Sequence, residues 1–353
     1  IGFSLFLLLG CGFGESDEIR FAGSTMGTSY HVTIVDTPNT IEQLALEREV
    51  ATILSAVDHK MSTYKSDSEL SLFNQAEVGV DVNVSADTLT VVKQAIALAD
   101  LSGGSFNPAV APLVDLWGFG PIVQRDAIPS ADQIAQALQS IDYSAVKITG
   151  NSLAKLAPVT LDLSAIAKGF GVDKLAPVTL DLSAIAKGFG VDKVASYLLA
   201  QGIANFLVEV GGEIRVAGHS PRDTPWRVGI ETPGEDYGIP YNAISVRDGA
   251  VATSGDYRNY FEQDGKRYSH TINPLTGYPV EHNLASITVL SDSAALADGL
   301  ATAINVMGPD QGLAFSELNA LAVFMIVKTE TGYNAVYSSA FEPYIQAELL
   351  TKE

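Results

Sequence analysis

Basic residues are scarce in this chain of 353: 21 Lys and Arg stand against 41 Asp and Glu, a formal net charge of −20. The deficit argues against a sequence-independent nucleic-acid binder, which needs a basic face to neutralise phosphates. It leaves open a phosphorylated small molecule held through a metal ion and backbone amides, and surplus carboxylates suit a hard divalent cation. There is one cysteine, Cys11, so a zinc site built on several thiolates is excluded. The five histidines, His31, His59, His219, His270 and His282, show no H-E-x-x-H spacing. No Walker loop and no G-x-G-x-x-G after a strand occurs, which argues against the common nucleotide folds. Low-complexity tracts and obvious linkers are absent, and the one long apolar run, IGFSLFLLLG, is too short to span a bilayer.

That run ends at Cys11 and reads as the apolar region of a signal peptide whose start lies upstream of Ile1. Leu8, Leu9, Gly10 and Cys11 resemble the bacterial lipobox, in which the cysteine is lipidated. The expected organisation is a partial lipoprotein signal at 1–10, a tether at 11–18 and a single domain at 19–353. The lipid on Cys11 would hold that domain on the periplasmic face of the inner membrane. A free or buried cysteine after an ordinary signal is the alternative.

Apolar content of 47% over this length supports a sizeable core. Arg20 to Thr37 predicts two alternating strands around a Gly-Ser-Thr-Met-Gly turn. Ile41 to Met61 has helical spacing, and a polar loop with a short helix capped by Ser66 or Asp67 follows. Ser85 to Leu101 predicts another helix, ending before Ser102, Gly103 and Gly104. The segment SFNPAVAPLVDLWGFGP is a poor helix and a poor strand; irregular stretches of this length are often functional. A helix at Ser130 to Gln139 and a hairpin around Gly150 and Asn151 come next. Further strands are predicted at Phe206 to Val216 with a Gly-Gly turn, at WRVGIETP, at AISVRDGAVATSG and around a turn at Gln263 to Lys266. Ala285 to Leu290 predicts a strand, Ser293 to Met307 a helix, and the ending a hairpin with a short amphipathic tail. Many neighbouring strands look hairpin-connected, so the fold class is α+β, with a mixed, largely antiparallel sheet and packed helices.

Residues 155–173, KLAPVTLDLSAIAKGFGVD, recur unchanged at 174–192. Each copy predicts a strand, Thr179 to Ser183 in the second, running into a small-residue helix that begins close behind a carboxylate. Free N–H groups and the positive end of a helix make such a junction a place for phosphate or metal, although an ordinary βα turn uses the same residue types.

Asp298 and Thr302, four apart on one helix, present their oxygens on one face and are able to share a cation; a Thr packing back onto its own helix is the alternative. Asp181 and Lys187 bracket the start of the second-copy helix. His270 lies in SHTINPLTG, beside hydroxyls, and suits either a general base or a structural histidine.

Taken in order, GSTMGT, MSTY, SFNPAVAPLVDLWGFGP, LDLSAIAKG, VEVGGEIRVAG, ATSGDYRNYF, YSHTINPLTG and ADGLATAINVMG resemble the ApbE-type flavin transferases, from about Ile19 to Leu349. The resemblance implies an enzyme that cleaves FAD and attaches FMN through a phosphoester to a threonine of a partner protein, releasing AMP and using Mg2+. It implies that Met26 and Tyr64 contact the flavin, with Ser105, Phe106 and Asn107 in the same cleft. Asp181, Lys187 and the backbone around Ile272 match FAD-binding positions. The carbonyl of Ala184 and the side chains of Asp298 and Thr302 would hold the metal, and His270 would help deprotonate the acceptor threonine. The implied partners are flavoprotein subunits of sodium-pumping NADH:quinone reductase or Rnf-type complexes. An FAD pyrophosphatase and a flavin-binding lipoprotein without turnover are the alternatives.

The family pattern holds one LDLSAIAKG, and two copies cannot occupy one metal site. The second is expected to form the site, because its helix continues through Val194 to Leu199, whereas the first meets Pro177 and must stop. Asp162, Ala165 and Lys168 are the rivals.

Overall fold

The computed structural model describes residues 18–38, 40–120, 128–156, 178–233, 240–255, 260–263 and 265–345. The amino-terminal run, Cys11 and nearly all of the first repeat copy, with Asp162, Ala165 and Lys168, lie outside them. In chain order the elements begin with β1 (Glu18–Thr25), β2 (Thr28–Val35), α1 (Gln43–Met61), α2 (Glu69–Gln75), β3 (Val82–Asn83) and α3 (Ala86–Leu101). Next come α4 (Ala111–Leu116), α5 (Ala131–Leu138), β4 (Val146–Thr149), β5 (Ser152–Lys155), α6 (Ser183–Ala200), β6 (Asn205–Val210) and β7 (Glu213–Ala217). The chain continues through β8 (Trp226–Glu231), β9 (Pro240–Val246), β10 (Gly249–Gly255), β11 (Tyr260–Gln263) and β12 (Lys266–Ser269). It ends with β13 (Leu284–Ser291), α7 (Ala294–Leu318), β14 (Ala322–Lys328) and β15 (Tyr333–Tyr337), followed by a 3-10 turn at Ser339–Tyr344.

Eight strands form the main sheet in the order β1-β2-β6-β7-β10-β13-β14-β15, and every neighbouring pair in it is antiparallel. Both faces of the sheet are covered, which β14 makes plain. Val323 and Met325 join the core beneath α3, α6 and α7, while the alternating Phe324 and Ile326 pack with Trp226, Val228 and Ile244 of the β8–β9 hairpin. One strand thus serves two cores through its period of two. A third cluster joins α1 and α6 to β2 and β6 through Leu46, Val50, Leu54, Val194 and Leu198 against Tyr30, Val32, Phe206 and Val208.

Three expectations need correction. The cap of α2 is Ser68, whose side chain accepts from Ser71 N, rather than Ser66 or Asp67. The Pro- and Gly-rich segment is not wholly irregular, since Pro112 near its start seeds the short helix α4. Thr179 to Ser183 is not a strand: residues 178–182 have no ladder, and Ser183 already belongs to α6. Their alternation is real, because Val178, Leu180 and Leu182 are buried, yet the backbone partners come from one side chain and one loop carbonyl. Asn74 donates Nδ2 to Leu180 O at 2.7 Å and accepts Leu180 N–H on Oδ1 at 2.8 Å, and Asp181 N–H donates to Pro108 O at 2.7 Å.

Candidate active site

The site is built where α6 crosses α7. At Gly188 an added Cβ would stand 2.2 Å from the Ala294 carbonyl oxygen, so glycine is what lets the two helices approach this closely. Asp192, one turn further along α6, holds the register. Its carboxylate accepts Ala294 N–H at 2.9 Å, Ala295 N–H at 3.0 Å and the Ser293 hydroxyl at 2.8 Å, and pairs with Arg215 Nη1 at 3.0 Å. This is a helix N-terminus capped from a neighbouring helix.

The crossing delivers Asp298 against the start of α6. Its Oδ2 accepts from Gly188 N at 3.3 Å and lies 3.5 Å from Lys187 Nζ, which is in turn 3.4 Å from Glu213 Oε1 at the start of β7. Asp298 and Glu213 are each 3% exposed. Burial pushes the Glu213 carboxyl up to about 8, with Lys187 opposing and Asp298 reinforcing the rise. Burial likewise pushes Asp298 upward against Lys187 and the Gly188 N–H. For Lys187, burial works against the charge, but the two carboxylates override it and hold the ammonium above its ordinary value. The Ala184 carbonyl faces the same crossing: a Cβ on Gly299 would lie 3.8 Å from its oxygen.

A cavity of about 1310 Å³ opens from this crossing, larger than the ~300–1,000 Å³ of common small-molecule pockets. It gathers every site residue expected from the sequence: Met26, Tyr64, Ser105, Phe106, Asn107, Asp181, Ala184, Lys187, His270, Ile272, Asp298 and Thr302 all line it. Their surroundings differ. Met26 sits in a two-residue turn with φ of 48° beside Gly27 at 74°, a left-handed pair for which Asn-Gly is the usual choice. Holding a Met there costs ~1–3 kcal/mol, and the reward is its thioether methyl, which comes within 3.0 Å of a Cβ placed on Gly190 and so occupies the space the glycine leaves. Tyr64 is 74% exposed at the rim, whereas Ser105 and Phe106 are buried. Asn107 spends its carboxamide on the fold, donating to Ile141 O and accepting from Ala109 N. Asp181 Oδ1 accepts the Ser183 N–H at 2.9 Å, satisfying one free donor of α6. The ring of His270 meets Phe119 edge-on, with centroids 6.3 Å apart.

Sequence reasoning missed Glu213, Thr271 and Asn305 as cavity residues. Glu213 lies within the quoted VEVGGEIRVAG, and Asn305 continues the spacing of Asp298 and Thr302 by another turn, so a signal existed for both.

An antiparallel α+β scaffold with a large, partly acidic cavity at a helix crossing defines a small-molecule site. The chain belongs to the ApbE family, whose sequence model matches residues 26–180 and 175–325. It is 44% identical to the FAD:protein FMN transferase of Vibrio cholerae over 345 residues, 97% of each chain. It is 40% identical to that of Haemophilus influenzae over 336 residues, 93% of this chain and 92% of the other. The solved structure of the flavin transferase ApbE from Vibrio cholerae superposes with a TM-score of 0.82 at 41% identity, covering 94% of this chain and 100% of that one.

Proposed function

We propose that this chain transfers FMN from FAD to a threonine of an acceptor protein and uses Mg2+ to do so. The observation that supports the reading is the cavity itself, which brings together around the α6–α7 crossing the residues expected to hold flavin and metal.

The residues fit the ion. The donor set that the family resemblance implies is one buried carboxylate, Asp298, with the Thr302 hydroxyl and the Ala184 carbonyl; no group of three or more His, Cys, Asp or Glu suited to a metal occurs among the described residues. Oxygen ligands of low total charge, leaving room for phosphate and water, are what Mg2+ prefers. Bound there, it would neutralise charge building on the phosphate oxygens.

The chain's own groups do the rest. Tyr64 and Met26 offer the flavin ring an aromatic and a polarisable surface. Lys187, kept cationic chiefly by the Asp298 carboxylate beside it, sets positive charge into the wall. The acceptor Oγ attacks the FMN phosphorus, a new O–P bond forms, and the P–O bond to the AMP phosphate breaks. The hydroxyl proton passes to His270, and AMP leaves with the bridging oxygen.

The acceptors in this reading are flavoprotein subunits of sodium-pumping NADH:quinone reductase or Rnf-type complexes. A lipid on Cys11 would hold the enzyme on the periplasmic face; no helix among the described residues is long and apolar enough to cross a membrane. The test is incubation with FAD, Mg2+ and an acceptor domain, followed by in-gel flavin fluorescence and measurement of AMP. A fluorescent acceptor is expected. AMP without it would make the chain a pyrophosphatase, and neither product would leave a binding protein.

A further inference from the structure

Asp298, Thr302 and Asn305 follow one another on α7 at i, i+4 and i+7 and so share one face; all three line the cavity. Asn305 is 2% exposed and its carboxamide is only half used. Nδ2 donates to Thr271 Oγ1 at 3.2 Å, which fixes the amide plane, while the buried Oδ1 has no hydrogen-bond partner. Leaving such an acceptor unpaired costs ~1–3 kcal/mol, so the site is built to receive a donor. The backbone is also pinned. Pro309 has no N–H for the Asn305 carbonyl, and His282 Nε2 donates to that oxygen instead, at 2.5 Å.

We propose that Asn305 Oδ1 accepts a hydrogen bond from a water molecule of the divalent cation held at Asp298 and Thr302, a role that rests on the cation site of the proposed function. At ~1.5 Å of rise per residue, Asn305 lies ~10 Å along the helix axis from Asp298 and ~4.5 Å from Thr302. Bonds of ~2.1 Å to Mg2+ do not let one ion touch both Asp298 and Asn305 directly, but a water in its shell extends the reach. Water on a cation is a strong, charge-assisted donor, and a neutral carbonyl receives it without adding charge. Partners of this outer kind change metal affinity ~10–100-fold.

The test is calorimetric titration of FAD-free protein with Mg2+ and Mn2+, alongside FAD binding in EDTA. Asn305→Leu should weaken both metals ~10–100-fold and leave metal-free FAD affinity unchanged. Asn305→Asp, of the same shape and still an acceptor, should bind both metals at least as tightly as the parent. Unchanged metal affinity in Asn305→Leu overturns the proposal. So does a loss of FAD affinity in EDTA with metal affinity intact, which would assign the donor to the substrate. If melting curves show that the Leu variant does not fold, Asn305→Asp decides alone, and weaker metal binding by it overturns the role. Asp298→Asn separates this from the underlying reading: parental metal affinity in that variant would remove the cation site itself.

Discussion

Gly188 on α6 abuts Ala294 on α7 at a distance that a single methyl group would close to 2.2 Å. The obstacle is backbone, so it cannot rotate away. Gly188→Ala should therefore destabilise the protein by ~1–3 kcal/mol through overpacking, despite the gain in helix propensity. It should also weaken metal and FAD binding, because the crossing sets the position of Asp298. Denaturant melts and binding titrations check both, and a stabilised variant with full affinity would refute the account.

Tyr64, at 74% exposure, contributes almost nothing to the core. Tyr64→Ala should leave stability within ~0.5 kcal/mol of the parent while weakening FAD binding ~3–10-fold, the worth of an aromatic contact of ~0.5–1.5 kcal/mol. Fluorescence titration reads the affinity and thermal melting the fold.

Glu213 gives stability a pH dependence whose sign follows from its environment. Folded, its carboxyl keeps a proton up to about 8, against an ordinary value of 4.5. Between those values the folded state binds more protons than the unfolded one, so this contribution is full below the unfolded pKa and is lost as pH rises through about 8. Lys187 from α6 and Asp298 from α7 are the charged groups facing it. Melting temperatures of metal-free protein measured on either side of that window should fall with pH, and Glu213→Gln should flatten the slope. An equal slope in the variant would show that Glu213 is ionised in the fold.

Deleting 155–173 and deleting 174–192 yield the same chain, since the copies are identical. That single-copy protein should fold and transfer FMN at least as fast as the full chain. Within the full chain, Asp181→Ala should abolish transfer and Asp162→Ala should not. The reverse result would move the site to the first copy.

What could be read in the sequence was what depends on neighbours along the chain. Ser85 accepting from Thr88 N at the start of α3, the Gly-Gly turn between β6 and β7, and the i, i+4 oxygens of Asp298 and Thr302 are local patterns. Thr179 to Ser183 misled because alternation reports burial alone; whether a ladder or Asn74, 106 residues away, satisfies the backbone is decided in three dimensions. Asn305 was passed over for a similar reason, since a polar residue on a helix looks solvated until Thr271, in the loop after β12, is seen against it. Ser68 in place of Ser66 or Asp67 is a smaller error, within the usual uncertainty of helix ends.

α7 breaks at Gly308, whose φ is 76°, and the break carries a chemical consequence for His282. Its Nε2 faces a carbonyl oxygen, Asn305 O, which only accepts, and its Nδ1 faces the Leu284 N–H at 3.3 Å, which only donates. Together they select one tautomer, with the hydrogen on Nε2 and a bare Nδ1. The imidazole thus ties the start of β13 to the break in α7, and the Asn305 backbone is anchored through it.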